Sequence, residues 1–514
     1  MELKTTQIVV IIQCVWSVLG NTHSHGLPNI VFLFVDDLGY GDLGCYGHPT
    51  SSTPHIDQLS RNGLQFTQFY AASPLCSPSR AALLTGRLSP RTGIWPNVFL
   101  PESSGGLQHN ETTLAEILRV KGYNTSIVGK WHLGFGKNQQ YLPMNYGFNS
   151  FFGTPFSHDM CPCLKCFYPS DPCFNQCDLY YTGCALFHND RIIEQPVDLT
   201  KLEDKFIQKA TDFITTNAVS KTPFFLYYSF QHTHHPQFAG HRYRNSTLRG
   251  SFGDSLAEVD DSVGKVVQLL KDVGVEDNTF VFFTSDNGPS LRNKHRGGNA
   301  GPLKCGKGTT YEGGQRVPGI AYWPGMIKPG RSMELASTLD LLPTIVKLVN
   351  GTLPRVALDG VDIRDVLFNS GKSTRESFFY ISPYSTPDYP IYAVRYKQYK
   401  AHYYTQGSSN TDFTHDPDCP ETHNRTKQVP PLLYDLNQDP SEIYNLNLDP
   451  AYTDVLMRID DIKREFEASL VWAESEIGKP TDTALEPCCA PGCSPFPSCC
   501  QCHTSNKLLF LPGL

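Results

Sequence analysis

The chain has 514 residues, with 43 Lys plus Arg against 50 Asp plus Glu and a formal charge of −7; 18 % of residues are charged, 12 % aromatic and 40 % hydrophobic. That charge density is too low and the aromatic content too high for a disordered chain. There is no basic excess to neutralise phosphates, which argues against a nucleic-acid partner.

In chain order, residues 1–22 read as a signal peptide. Lys4 supplies the positive start, Ile8 to Leu19 is mostly apolar, and Gly20 is a small residue near the cut. The apolar run is too short to span a membrane, so no stable membrane anchor is expected. Four short runs rich in Val, Ile, Phe and Tyr then read as buried parallel strands: Ile30–Val35, Asn124–Val128, Phe224–Phe230 and Thr279–Thr284. Helical segments separate them. Thr53-Pro54 opens one and Gly63 closes it; Thr113 and Glu116 form a capping box with Gly122 as the stop; Leu256, Val259, Val263, Val266 and Leu270 repeat at helical spacing. This alternation predicts a doubly wound α/β unit over 26–375. Beyond about 375 the pattern changes. Tyr392–Tyr404 and Leu432–Leu436 read as antiparallel strands, followed by a helix with Leu456, Ile459, Ile462, Phe466 and Leu470 on one side. A smaller C-terminal α+β unit over 376–514, ending in a cysteine-rich tail, is expected.

Of 17 cysteines, Cys14 leaves with the signal, and two clusters fall in Pro-rich, loop-like sequence at 161–184 and 488–502. Such density reads as disulfide staples in an oxidising compartment. Zinc is the rival, but well-spaced CxxC pairs and neighbouring histidines are scarce. Sequons at Asn110, Asn124, Asn245, Asn350 and Asn424 agree with secretion. Asn124 heads a buried strand, so Asn110, Asn245, Asn350 and Asn424 are the glycan candidates.

Each of the four strands ends in polar residues: Asp36-Asp37, Lys130-Trp131-His132, Gln231-His232-Thr233-His234 and Asp286-Asn287. Ligands of an open parallel sheet bind beyond the carboxyl ends of its strands, so four such ends point to one crevice. Asp36, Asp37, Asp286 and Asn287 are all oxygen donors, which suit a hard cation. A cage built almost wholly of protein oxygens leans to one Ca²⁺ rather than Mg²⁺. Leu75 to Arg87 reads as a loop entering a short helix. Cys76 then sits at the N-terminus, where the helix favours negative charge, with Arg80 one turn on. A thiol nucleophile, a buried free thiol and a disulfide partner all fit Cys76 at this level.

Cys76-x-Pro78-x-Arg80 followed by Ala81-Ala82-Leu83-Leu84-Thr85-Gly86 resembles the signature of the sulfatase family, and Gly129-Lys130-Trp131-His132-Leu133-Gly134 resembles its second signature. His232-Thr233-His234, the stretch from Cys305 to Gly314 and the Cys488–Cys502 tail are similar to its arylsulfatase branch. The resemblance runs from Pro28 to Cys502. It implies an alkaline-phosphatase-like α/β sandwich with a large, mostly parallel sheet. It also implies that a formylglycine-generating enzyme converts Cys76 to formylglycine (3-oxoalanine), whose hydrate is the nucleophile and a metal ligand. One hydroxyl of the hydrate attacks sulfur; the other later expels sulfate as the aldehyde re-forms. Arg80, Lys130 and Lys307 would stabilise charge, His234 would protonate the leaving alcohol, and His132 would assist hydrate breakdown. Lys130, Ser157, His234 and Lys307 would bind substrate; His232 stays open between a supporting role and none.

The same resemblance implies disulfides Cys163–Cys177, Cys166–Cys173, Cys305–Cys419, Cys488–Cys500, Cys489–Cys502 and Cys493–Cys499. Cys161 and Cys184 fall outside that pattern and their pairing is a conjecture; Cys45 is expected to be a buried free thiol. The implied substrates are aryl sulfates and sulfated galactolipids such as cerebroside 3-sulfate. The implied destination is the lysosome or the cell exterior, and the implied assembly a homodimer or larger. Two other readings remain: a phosphatase or phosphodiesterase on the same fold, and a non-catalytic secreted glycoprotein.

Overall fold

The structure is a computed structural model that describes residues 26–163, 165–167, 173, 177–292, 296–411 and 416–502. The signal peptide expected over 1–22 lies outside these residues. Eleven strands form the large sheet: β1 Asn29–Val35, β2 Leu64–Tyr70, β3 Asn124–Lys130, β4 Ser150–Thr154, β5 Leu186–His188, β6 Arg191–Glu194, β7 Phe224–Ser229, β8 Thr279–Ser285, β9 Arg316–Tyr322, β10 Gly330–Ser332 and β11 Ala336–Ser337. Their order is β10-β2-β9-β8-β1-β7-β3-β4-β5-β6, with β11 also on β2. The centre, β8-β1-β7-β3-β4, is parallel; β9, β5 and β6 join in antiparallel fashion. The sheet is therefore mixed but mostly parallel, as expected, and four of these five central strands, β1, β3, β7 and β8, match the four runs read from the sequence, while β4 has no counterpart among those runs.

Both faces of this sheet are covered, which is why its central strands β1, β7 and β8 are mainly apolar along their length. Ile30, Phe32 and Phe34 of β1 face one core, shared with Ala81, Leu83 and Leu84 of the Cys76–Thr85 helix. Val31, Leu33 and Val35 face the other, shared with Ile56 and Leu59 of the Pro54–Asn62 helix and with Val259 and Val263 of the Gly250–Asp272 helix. The capping box of Thr113 and Glu116 is formed on the Leu114–Val120 helix.

A second, antiparallel sheet has the order β12-β13-β14-β15, with β12 Ser377–Tyr380, β13 Ala393–Tyr396, β14 Tyr399–Thr405 and β15 Thr426–Asp435. The span Tyr392–Tyr404, expected as one strand, is two. Lys397 adopts φ 53° between them and the chain reverses there. The Thr453–Ser469 helix packs on this sheet through Ile459 and Ile462, and the core beneath it also takes in Tyr70 and Ala82 of the large unit.

The six disulfides implied by resemblance are all present, and Cys161 pairs with Cys184. Those thiols are thereby withdrawn from zinc binding. Among the described residues Cys45 and Cys76 are the free cysteines. Cys45 is only half-buried, not buried as expected. Among the described residues, no helix is long and apolar enough to cross a membrane. Asn110, Asn245, Asn350 and Asn424 are exposed, whereas Asn124 is half-buried and donates through Nδ2 to Asn217 Oδ1 at 3.0 Å.

Candidate active site

The parallel register brings the carboxyl ends of β1, β3, β7 and β8 to one edge, because each strand is hydrogen-bonded in step with its neighbour. Asp36 and Asp37 leave β1, and Asp36 is stitched to the β7 exit: its N–H donates to His232 O at 2.7 Å, and Thr233 N–H donates to Asp36 O at 2.6 Å. Asp286 and Asn287 leave β8; Asp37 N–H donates to Asp286 Oδ1 at 3.2 Å. Lys130 ends β3. Its approach to β7 needs Gly129, at φ 112°, where an added Cβ would fall 1.7 Å from the Ser229 carbonyl oxygen.

The Cys76–Thr85 helix delivers the remaining groups. Leu75 is its extended N-cap, and Gly86, in the left-handed region, closes it by donating to Ala82 O at 2.8 Å. Cys76 is the first helical residue. Its Sγ lies 3.5 Å from Asp36 Oδ1, and Lys307 Nζ donates to it at 3.6 Å. Arg80, one turn on and fully buried, donates to Asp286 Oδ2 through Nε at 3.0 Å and Nη2 at 2.8 Å, and to Ser229 Oγ through Nη1 at 2.6 Å. Lys130 pairs with Asp36, and Lys307 Nζ is 2.6 Å from Asp37 Oδ1. His234 Nε2 lies 3.7 Å from Asp37 Oδ2 while its Nδ1 donates to His235 O at 2.6 Å. His132 donates from Nε2 to Phe99 O at 3.0 Å, and its buried Nδ1 has no partner. Asp37 and His132 both have φ 59°, the left-handed region that residues with side chains seldom occupy.

The structure thus brings Asp36, Asp37, Cys76, Arg80, Lys130, His234, Asp286, Asn287 and Lys307 into one contiguous cluster. Ser157 is buried with an unpartnered Oγ, in the loop after β4 that exits at the same edge; it makes no hydrogen bond to the cluster. His232 does not face the carboxylates. Its Nε2 meets Glu258 Oε2 at 2.9 Å and its ring packs on Phe238, so it acts on the site only through its backbone carbonyl. Ser229 and Asp159 escaped the sequence reading. Ser229 is the last residue of β7, hidden because the apolar run continues to Phe230; Asp159 comes within 3.9 Å of His234 Nδ1 from the Phe156–Asp159 stretch, of which the sequence reading assigned a role only to Ser157.

Donor atoms of Asp36, Asp37, Cys76 and Asp286 all lie within 4.8 Å of one another, and all four residues are buried. Asn287 spends Nδ2 on Asp37 Oδ1 at 2.7 Å and on Gly288 O, leaving a buried Oδ1 without a partner. An orphaned amide oxygen beside converging carboxylates fits a metal ion, and the oxygen-rich donors fit a hard one. Charge alone does not demand it, since Arg80, Lys130 and Lys307 already balance the three carboxylates.

Burial alone would raise Asp36, but Lys130, with His234, Arg80 and Lys307, holds it well below the usual carboxylate range. Asp286 is pushed up to about 7 by burial and by Asp36, despite Arg80. Burial and Asp36 push the Cys76 thiol well up. Burial drives His132 and His234 well down, aided by Lys130 and Lys307 respectively. In the free site both imidazoles are therefore neutral.

Comparison with known proteins gives the same direction. The chain matches the Sulfatase family model over residues 28–352 and the model for the C-terminal region of aryl-sulfatase over 373–502. It is 48 % identical over 482 residues to arylsulfatase A of Homo sapiens, covering 92 % of this chain and 95 % of that one. It is 38 % identical over 493 residues to N-acetylgalactosamine-6-sulfatase of Mus musculus, covering 92 % of each. Among solved structures, the PsFucS1 sulfatase from Pseudoalteromonas sp. superposes with a TM-score of 0.75 at 27 % identity, covering 87 % of this chain and 92 % of that one. With its two family regions, its alkaline-phosphatase-like sheet and its strand-end cluster, the chain belongs to the sulfatase family and is a sulfuric ester hydrolase.

Proposed function

We propose that this protein is an arylsulfatase whose nucleophile is a formylglycine hydrate made from Cys76 and whose cofactor is one Ca²⁺ held by Asp36, Asp37, Asp286 and Asn287. The observation that carries the reading is the state of Cys76. Fourteen of the described cysteines are in disulfides; Cys76, unlike them, stays unpaired, and unlike the half-buried free Cys45 it is buried at a helix N-terminus against Asp36 and Lys307. A thiol held well above its ordinary pKa by burial and a carboxylate is a poor thiolate nucleophile. That disfavours direct thiol chemistry and favours conversion by a formylglycine-generating enzyme in the secretory pathway.

The bound cation would polarise the sulfate oxygens and lower the hydroxyl pKa of the nucleophile. The chain's own groups do the rest. Arg80 fixes Asp286, while Lys130 and Lys307 face the position of residue 76 and stabilise the negative charge of the transferring sulfuryl group. One hydrate hydroxyl gives its proton to the Asp36 carboxylate, whose Oδ1 lies 3.5 Å from the side-chain Sγ of Cys76, and forms the S–O bond as the ester S–O bond breaks; the departing alkoxide takes its proton from His234. His234 is neutral in the free site, so the anionic ester must raise it for that step. Loss of the second hydroxyl's proton, with His132 Nδ1 as acceptor, re-forms the C=O bond and releases sulfate; water then rehydrates the aldehyde. Ser157 Oγ is free to donate to the ester oxygens.

Aryl sulfates, and sulfated galactolipids among natural esters, are the substrates this reading favours, supported by the 48 % identity to arylsulfatase A. We place the boundary between the catalytic unit and the smaller C-terminal unit at 375/376, supported by the two separate sheets. Entry to the secretory pathway is supported by the disulfides and the four exposed sequons, with the lysosome or the exterior as destination. The test is mass spectrometry of the peptide bearing residue 76 together with turnover of a chromogenic aryl sulfate and its phosphate analogue. Formylglycine and sulfate release are expected; no sulfate turnover by fully converted, calcium-loaded protein rejects the reading, and phosphate turnover alone transfers it to the phosphatase class.

A further inference from the structure

Lys307 belongs to a loop that closes on itself, Gly313 N–H donating to Lys304 O at 2.8 Å. This loop touches both halves of the active site through its backbone. Gly308 N–H donates to Pro74 O, two residues before Cys76, and Gly288 N–H, next to Asn287, donates to Gly314 O, each at 2.9 Å. From outside, the loop is tied at its start by the Cys305–Cys419 disulfide and at its end by Glu312. Its N–H donates to Glu442 Oε2 at 2.7 Å; its Oε1 accepts from Lys400 Nζ at 3.0 Å and from Tyr380 OH at 2.8 Å; its Oε2 accepts from Tyr70 OH at 2.5 Å. Lys400 Nζ bridges on to Glu442 Oε1 at 2.9 Å, which also meets His402 Nε2 at 2.6 Å. Glu312, Lys400, Glu442 and His402 are all 0 % exposed. Tyr380 lies on β12 and Lys400 and His402 on β14, so the network joins the antiparallel sheet to the catalytic loop.

We propose that Glu312 is a positioning residue for Lys307: held by Lys400, Glu442 and Tyr380 of the C-terminal unit, it sets the loop that carries Lys307 against Asp37 and residue 76. Burial alone would raise Glu312, yet Lys400 with Arg316 and Arg395 holds it down to about 2, so the carboxylate stays charged. A buried ion pair adds little net stability over an apolar pair of the same shape, but it holds its partners to one geometry, and geometry is what a transition-state contact needs. The small sheet thereby acts on catalysis without touching substrate.

This inference rests on the reading of Lys307 as the group that stabilises the transferring sulfuryl charge. The test is a double-mutant cycle of Glu312→Gln with Lys307→Ala in the full-length, disulfide-intact, calcium-loaded enzyme, normalised to folded protein and formylglycine content. Glu312→Gln alone is expected to lower kcat for an aryl sulfate about tenfold with KM little changed, and in the Lys307→Ala background by less than about twofold. A purely structural role would give the same factor in both backgrounds, and that result, or an unchanged kcat, overturns the proposal. Tyr380→Phe, which removes one hydrogen bond to Glu312, is run in parallel. If Glu312→Gln does not fold, a fall in kcat for Tyr380→Phe that vanishes without Lys307 supports the proposal, and an equal or absent fall overturns it. The cycle is also read in the Kd for inorganic sulfate. An inactive wild type would reject the arylsulfatase reading, while non-additive or additive sulfate affinities would still decide the coupling.

Discussion

Replacing Arg80 by Lys keeps the buried charge and removes the fork, which separates electrostatics from geometry. The guanidinium is 0 % exposed and divides its donors between Asp286 Oδ2 (3.0 and 2.8 Å), Ser229 Oγ (2.6 Å) and Lys130 O (3.3 Å). A lysine ammonium on the same helix position can hold Asp286 or reach toward Ser229, but not both. At least two hydrogen bonds involving a charged group are lost, each worth about 1.5–3 kcal/mol. Taking the low end, about 3 kcal/mol of positioning is removed, which is about 10²-fold if it is felt in the transition state. The assay is kcat/KM for an aryl sulfate at fixed calcium, per mole of converted residue 76. A loss near 10²-fold is expected for Arg80→Lys. A value within about threefold of wild type would show that Arg80 contributes only its charge, and the positioning argument would fail.

Two buried carboxyls contribute to the pH dependence of stability with a definite sign. Burial pushes Glu203 up to about 7 and Glu258 up to about 8. Both then bind a proton more tightly folded than unfolded, so their stabilisation is complete below their unfolded pKa of about 4.3 and is lost as pH rises through 7 and 8. Histidines buried neutral, such as His132, His232 and His234, act in the opposite direction between about pH 5 and about pH 6.5, so the contribution of these two carboxyls is read as a difference: the thermal midpoint of the Glu203→Gln, Glu258→Gln double variant minus that of wild type, at fixed scan rate, should rise from about pH 5 to about pH 8, and a flat or falling difference contradicts the assignment. Asn287→Ala, which deletes the unpartnered Oδ1, should weaken calcium binding by about tenfold or more in calorimetry, with unchanged affinity counting against a cation there. Enzymatic deglycosylation should convert Asn110, Asn245, Asn350 and Asn424 to aspartate in peptide maps and leave Asn124 untouched, because Asn124 already donates to Asn217 inside the fold; glycan found on Asn124 would mean that this hydrogen bond does not form.

Local pattern made the centre of the molecule readable. β1, β7 and β8 are buried on both faces, so each is a mainly apolar run ending in polar residues, and β3 keeps a shorter apolar stretch at Ile127 and Val128 before its polar end. The Thr113–Glu116 box and Gly86 are caps whose geometry lies within a few residues of chain. The flanking strands β2, β5, β6 and β10 were silent for the same reason in reverse: they are short or carry polar residues, and pairing in the sheet, not their own propensity, makes them strands.

Residue types and their order were enough to assemble the carboxylates, the amide, the basic side chains and the cysteine as one set, since in a parallel sheet the carboxyl ends of successive strands share an edge. Which contacts those groups make is a property of distance across the fold. Arg80 reaches Asp286 and Ser229, Asn287 keeps a free oxygen, His232 turns away to Glu258, and Glu312 answers to Lys400 and Glu442 from another sheet. These partners lie far apart in the chain and meet only because strand order brings the exits of one sheet together and, for Glu312, because the second unit packs against the first; no periodicity along the sequence encodes such a meeting.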